Sequence, residues 1–231
     1  MVVGRSQLLI DLVSNNSDLE NILLRLKIIL SDLGDQRIIS WIKGELEGYS
    51  IEDGVESFPP YRILKGNPVG TFVVNGTTKY RNQQVPLEAL IKDKELINDI
   101  TVYYSRDNIK TIQHILGGEN RDKYAKQIST SFCHSISRYD LQLLTMNVMI
   151  PSNQLEEIVS HVKSKLVEII MELEKQFKNL DDLDIRSQIE TNHTKKEQVT
   201  INIEKIIYEG SIEIGDNNKI KDSGIGKFFR R

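Results

Sequence analysis

Apolar residues recur at helical spacing through the first fifty positions of the chain. Leu19, Ile22, Leu23, Leu26, Ile29, Leu30 and Leu33 form one stripe, introduced by Ser17 and Glu20 at the spacing of a capping box and stopped by Gly34. Asp35 stands where it can cap a second helix, whose apolar side is Ile38, Ile39, Ile42 and Leu46 and whose end is Gly48. Together they predict a helical hairpin. From Ser50 the pattern changes, because Pro59, Pro60, Gly66, Pro68 and Gly70 forbid a long helix. Asn75-Gly76, set between Thr71-Phe72-Val73-Val74 and Thr77-Thr78-Lys79-Tyr80, predicts a β-hairpin. A short helix near residues 86–97, a strand at 101–104 and a helix over 107–116 closed by Gly117-Gly118 follow. Residues 123–149 fit neither period cleanly, although Leu143 to Ile150 suits a buried strand.

Pro151-Ser152 opens the clearest helix. Its apolar residues Leu155, Val159, Val162, Leu166, Ile169 and Leu173 alternate in steps of four and three, a heptad seam widened by Ile158 and Ile170. Such a stripe packs either on the helical hairpin of its own chain or on a second subunit. Residues 179–197 are polar and read as a linker. Beyond them Val199, Ile201 and Ile203 alternate with polar residues, Ile212 and Ile214 repeat the alternation, and Gly215-Asp216-Asn217-Asn218 signals a turn. A strand-rich tail is expected there, too short to own a core. The fold class is therefore α+β: N-terminal helical hairpin, small mixed sheet with a β-hairpin, long amphipathic helix and strand-rich tail. The expected divisions are a domain over 1–180, a linker over 181–197 and a tail over 198–231.

Charge and cysteine content narrow the functional classes. Thirty Lys and Arg against 33 Asp and Glu leave a net charge of -3, which gives the whole chain no attraction for phosphate backbones and disfavours a histone-like or coat-protein role. The single cysteine, Cys133, excludes an internal disulfide framework and a four-cysteine zinc site. No apolar run approaches the ~20 residues of a membrane span, and residues 1–13 are too short and too weakly basic a cluster for a secretory signal. A cytoplasmic protein is the expectation.

The search for chemistry yields little. No lysine has Asp or Glu two positions before it, which removes the commonest restriction-endonuclease arrangement. His114, His134, His161 and His193 are far apart, so no metal site and no cofactor are expected. Gly210 to Gly215 has the gap of a P-loop, but Asp216 takes the lysine position, where it would repel phosphate. Asp182-Leu183-Asp184 reads as a solvated acidic stretch. Arg186 and His193 fall within the Arg-x(4-6)-His spacing of small helical ribonucleases, in which imidazole moves protons and arginine steadies phosphate charge. They are the weak catalytic candidates, in a spacing that chance also supplies and in an expected linker. The last sixteen residues carry five cations against two acids and include Phe228-Phe229, a possible anionic contact or simply a solubilising end.

A resemblance adds what the residues alone do not. Leu24 to Leu33, Trp41-Ile42, Glu45-Leu46-Glu47-Gly48-Tyr49 and Pro60-Tyr61-Arg62 resemble the opening of the AbiTii family, whose members begin with a helical segment ending in a Trp, Glu-Leu, Gly-Tyr run followed by Pro-Tyr-Arg. Val162-Lys163-Ser164-Lys165-Leu166 and Leu173-Glu174 are similar to its late amphipathic helix, so the likeness spans about residues 6 to 178. The tail is similar to glycine-asparagine elements that end various bacterial conflict proteins. The family is named for one component of a two-protein abortive-infection system against bacteriophage. The resemblance therefore implies a phage-defence protein acting through protein contacts, with a partner encoded nearby and self-association through the helical seam or tail. It supplies no catalytic residues. A nucleic-acid-processing effector, and an accessory module whose tail recruits an effector by strand addition, are the alternatives. The motif residues Trp41, Glu45, Gly48, Tyr49, Tyr61 and Arg62 suit two roles: a joint, with Gly48 as C-cap and Arg62 paired to Glu45 or Glu47, or an exposed Tyr, Tyr and Arg binding surface.

Overall fold

The computed structural model describes residues 5–54, 58–190 and 193–208. Three short helices open the chain: α1 (Gln7–Val13), α2 (Leu19–Ser31) and α3 (Gln36–Glu47). Each begins at a side chain that accepts a backbone N–H of the first turn, Ser6 for α1, Asp18 for α2 and Asp35 for α3. The cap of α2 is thus Asp18, one residue after the Ser17 that the capping-box spacing favoured. Glu20 is engaged elsewhere, accepting from Lys110 Nζ at 2.7 Å.

Two antiparallel sheets follow. Strands β1 (Ile63–Lys65) and β4 (Val102–Tyr104) form a two-stranded ribbon. Strands β2 (Asn67–Val74), β3 (Thr78–Gln84), β5 (Ala125–Ile128) and β6 (Leu141–Met149) form a four-stranded sheet in the order β3-β2-β6-β5. All pairings are antiparallel, so the sheet is not mixed as expected. Asn75 and Gly76 turn the β2–β3 hairpin with φ of 51° and 69°, the positive values that a tight hairpin turn requires. The helix expected over 86–97 is two: α4 (Leu87–Leu90) and α5 (Lys94–Thr101), the second restarted by Asp93 accepting from Glu95 and Leu96. Helix α6 (Ile109–Gly117) is capped by Asn108, and α7 (Thr130–Ile136), capped by Ser129, divides the ambiguous stretch between β5 and β6.

The long helix α8 (Ser152–Gln176) organises the body, packing on α1, α6 and a C-terminal helix, α10 (His193–Tyr208). Of its heptad seam, Leu155, Val162, Leu166, Ile169 and Leu173 are fully buried, as are the flanking Ile158 and Ile170, and Val159 is partly buried against the same core. The helix thus joins α1 and α6 to the C-terminal helix in one core. Residues expected as a linker are structured: Leu180, Ile185 and Ile189 are buried, and α9 (Arg186–Glu190) precedes α10.

Residues 199–203 are helical rather than extended. Val199, Ile203, Ile206 and Ile207 share one buried face at helical spacing, whereas Ile201, which a strand would place beside Val199 and Ile203, is 46% exposed. The alternation over three residues was real but local, and the next two isoleucines decide the period. The tail strands expected around Ile212 and Ile214 lie outside the described residues.

Candidate functional site

The motif residues converge on one buried carboxylate. Along α3, Ile38, Trp41, Ile42 and Glu45 fall on a single inward face, which takes Glu45 out of water with its hydrophobic neighbours. A buried carboxylate needs a counter-charge and donors. Arg62, at the end of a 3-10 turn over Pro60–Arg62, supplies the charge: its Nε donates to Glu45 Oε1 at 3.3 Å and its Nη2 donates to Oε2. Both side chains have no exposure. The hydroxyls of Tyr49 and Tyr61 donate to the same Oε1 at 2.8 and 2.9 Å, so both carboxylate oxygens are engaged. Trp41 Nε1 donates to Tyr61 Oη at 2.7 Å, closing the cluster on its second side. Glu47, the other possible partner for Arg62, lies one helical face away and pairs with Lys27 at 3.0 Å.

Two glycines make room for this arrangement. The Tyr49 ring lies against α3 at Gly44, where a Cβ would come within 2.4 Å of ring atoms. Gly48 ends the helix at φ +95°, and a Cβ there would meet the Arg106 carbonyl oxygen at 2.8 Å. That same carbonyl accepts the Tyr49 N–H at 2.9 Å. The chain after α3 is thereby pinned to the segment leading into α6.

From Arg62 the network continues. Its Nη1 donates to the Asp107 carbonyl oxygen; the Asp107 carboxylate accepts from Tyr124, whose hydroxyl lies 2.9 Å from that of Tyr103. Rings cover the guanidinium: Tyr49 lies 5.2 Å from it, Phe58 is tilted against Tyr49, and Tyr104 meets Phe58 edge-on. On the opposite side Tyr61 stacks on His161 of α8 at 5.6 Å, and Lys165 Nζ lies 5.7 Å from the Tyr61 ring. Lys165 donates in turn to the Ile206 carbonyl near the end of α10. Three separate parts of the fold, α3, the β1–β4 ribbon and α8 with α10, therefore meet at Tyr61 and Arg62.

Burial, reinforced by the charge of Glu45, pushes both tyrosine hydroxyls well above the usual phenol range, so they remain protonated donors. Burial opposes the charge on Arg62, but Glu45 outweighs it and holds the guanidinium protonated. Burial lowers Lys165, only weakly offset by Glu168.

An active site needs a group with unused hydrogen-bonding capacity facing a space that substrate can enter. Here the two formal charges neutralise one another, and the Tyr49 and Tyr61 hydroxyls both point inward onto Glu45. The described surface grooves lie elsewhere, one of them lined by Arg5, Glu174 and Asp181. No group of three or more His, Cys, Asp or Glu side chains that could hold a metal occurs among the described residues. Arg186 stands at the head of α9, with its guanidinium 3.2 Å from Asp32. His193 opens α10, and its side chain lies outside the described residues.

Sequence reasoning missed Gly44, Asp107, Tyr103, Tyr124, His161 and Lys165 as members or neighbours of the cluster. Gly44 carried a signal, being a lone glycine inside a helical pattern, where a close packing contact is the usual reason. Lys165 carried another, since it falls inside the apolar seam of α8. No curated protein and no solved structure matches the chain. The family comparison does match, over residues 6–200, a span that takes in every residue of the cluster. The chain belongs to the AbiTii family.

Proposed function

We propose that this protein is an abortive-infection defence protein against bacteriophage that works in the cytosol, through contacts with other proteins, as one component of a multi-protein system. The family match over residues 6–200 carries this reading. No helix among the described residues is long and apolar enough to cross a membrane, which is compatible with it. Within that function, Trp41, Glu45, Gly48, Tyr49, Tyr61 and Arg62 serve as the joint that sets α3 against the ribbon and α8. What supports the structural role is the saturation of Glu45 by Arg62 and two tyrosines. The surface that meets a partner then lies away from the motif.

Infection at high phage excess tests the defence role. Cells carrying the gene beside its native neighbour are expected to release few progeny phage and to show few survivors. Normal progeny yield, with the gene alone and with its neighbour, would reject it.

A further inference from the structure

The four-stranded sheet turns one face inward, where Phe72, Leu143, Met146 and Val148 are buried, and leaves the other open. Directly paired positions share a side of a sheet, so the register maps the open face residue by residue. One row crosses all four strands: Gln84 on β3, Val69 on β2, Asn147 on β6 and Gln127 on β5. Lys79, Val73 and Gln142 form a second row, with Thr71 and Thr145 between the two. The Gln, Asn and Lys side chains of both rows and that of Thr145 are exposed, and none has a hydrogen-bond or ion-pair partner among the described residues.

Charge sets this face apart from an ordinary solvated sheet side. The four strands contain no Asp or Glu, in a chain that has 33. Exposed positions would solvate Glu as readily as Gln, yet here they carry amides and hydroxyls, with Lys79 and Arg81 on the edge strand β3. Arg81 belongs to the edge and is assigned to neither face, because the ladder is irregular there and Asn82 has φ of 50°. Lys126 of β5 is spent on the carbonyls of Asp99, Ile100 and Val102. Past the Lys79 row, the Asn75 N–H donates to the Asp140 carbonyl, which sets the turn before β6 at the same end of the sheet as the β2–β3 hairpin. That turn is closed by two backbone hydrogen bonds between Arg138 and Leu141, at 2.9 and 3.2 Å, and it holds Tyr139 96% exposed. Its acid, Asp140, lies 3.7 Å from the Arg138 guanidinium.

We propose that this open face binds single-stranded nucleic acid. Side-chain amides both donate and accept, which suits the edges of unpaired bases. Lys79 and Arg81 meet phosphates along one side, and Tyr139 offers a ring on which a base stacks. The missing carboxylates remove locally the repulsion that a net charge of -3 gives the chain as a whole. Four strands span about 14 Å, room for two or three splayed bases. A duplex keeps its base edges inside grooves that a flat sheet does not enter, so the single strand is the form selected. The edge cations favour a polyanion over a neutral polysaccharide, which the amides alone would also suit.

This inference does not rest on the defence reading and is tested on purified full-length protein without phage, so the two can fail separately. Fluorescence anisotropy would follow short labelled oligonucleotides of mixed sequence, as single-stranded RNA, single-stranded DNA and duplex DNA, with unlabelled maltodextrin as a competitor. At least one of the single strands is expected to bind more tightly than the duplex, with an affinity that falls as salt rises and is indifferent to maltodextrin. Lys79→Gln is expected to remove one phosphate contact and flatten the slope of log K against log salt by about 0.7. Tyr139→Ala is expected to weaken binding roughly fivefold or more, and Gln84→Ala with Asn147→Ala to weaken it with the salt slope unchanged. All four side chains are exposed, so the melting temperature is expected to hold in each variant. No binding at low salt, tighter binding of the duplex, displacement by maltodextrin, or an affinity that the Lys79 and Tyr139 variants leave unchanged would overturn the proposal.

Discussion

Four donors from three residues converge on the Glu45 carboxylate: the guanidinium Nε and Nη2 of Arg62 and the hydroxyls of Tyr49 and Tyr61. Removing the counter-charge alone strands a buried carboxylate. Arg62→Ala is therefore expected to destabilise the fold by about 3–5 kcal/mol in urea titration, and Glu45→Gln combined with Arg62→Met to cost less than the sum of the two single changes. Gly44→Ala sets helix propensity, which favours alanine by up to about 1 kcal/mol, against displacement of the Tyr49 ring at 2.4 Å. The displacement wins, for a net loss of about 1–3 kcal/mol in the same titration. At the other end of the body, Glu174 ties the chain's start to α8, accepting from the Ser6 N–H and hydroxyl at 2.8 Å each and from Arg5 at 2.7 Å. Burial works against the Glu174 carboxylate, but the hydrogen bonds of Ser6 and Arg5 outweigh it and hold its pKa below the ordinary value. A carboxyl depressed in the folded state contributes stability that is whole above the ordinary glutamate range and lost as pH falls through the folded value. Glu174→Gln is expected to flatten the acid limb of a stability–pH curve and to leave the alkaline limb unchanged.

Residue identity was more legible than residue partnership. The pairing of Arg62 with either Glu45 or Glu47 could be stated from sequence, but helix phase decides between them, and the phase is fixed by what Ile38, Trp41 and Ile42 bury. The two tyrosine donors reach Glu45 across a helix end and a turn. Chain spacing carries no record of such a contact.

At the scale of elements, long amphipathic segments were readable and short ones were not. The helices built on Leu19 to Leu33 and Leu155 to Leu173, and the Asn75-Gly76 hairpin, each carry enough repeats or a specific enough turn to fix their type. In residues 123–149 a strand of four residues, a helix of seven and a strand of nine follow one another, and the first two are each no longer than about two periods of their own repeat. Helix α10 is the instructive case, because a two-residue alternation over Val199, Ile201 and Ile203 coexists with a helical face completed by Ile206 and Ile207. The two readings differ in what they ask of Ile201. In the helix, Ile201→Ala should change stability by no more than about 0.5 kcal/mol, while Ile203→Ala should cost about 2–4 kcal/mol. Similar losses at both positions would mean that they share a buried face, as in a strand.

Over the whole molecule, the AbiTii match spans residues 6–200 and so stops inside α10, whose last turns pack on the same body through Ile206 and Ile207. Lys165 fastens that end of the helix by donating to the Ile206 carbonyl. Helix α10 packs on α3, α8 and α9, and the motif cluster lies where α3, the ribbon and α8 meet. If the cluster is that joint, a motif variant loses defence only as far as it loses folded protein. The most direct measurement is phage protection by cells expressing Arg62→Ala or the unaltered chain, with soluble protein quantified in the same cultures. The expected result is that protection and soluble protein fall together, and that raising expression of the variant until soluble levels match restores protection. Full soluble abundance and an unchanged melting temperature with protection lost would contradict the account, since Arg62 would then serve the defence reaction itself.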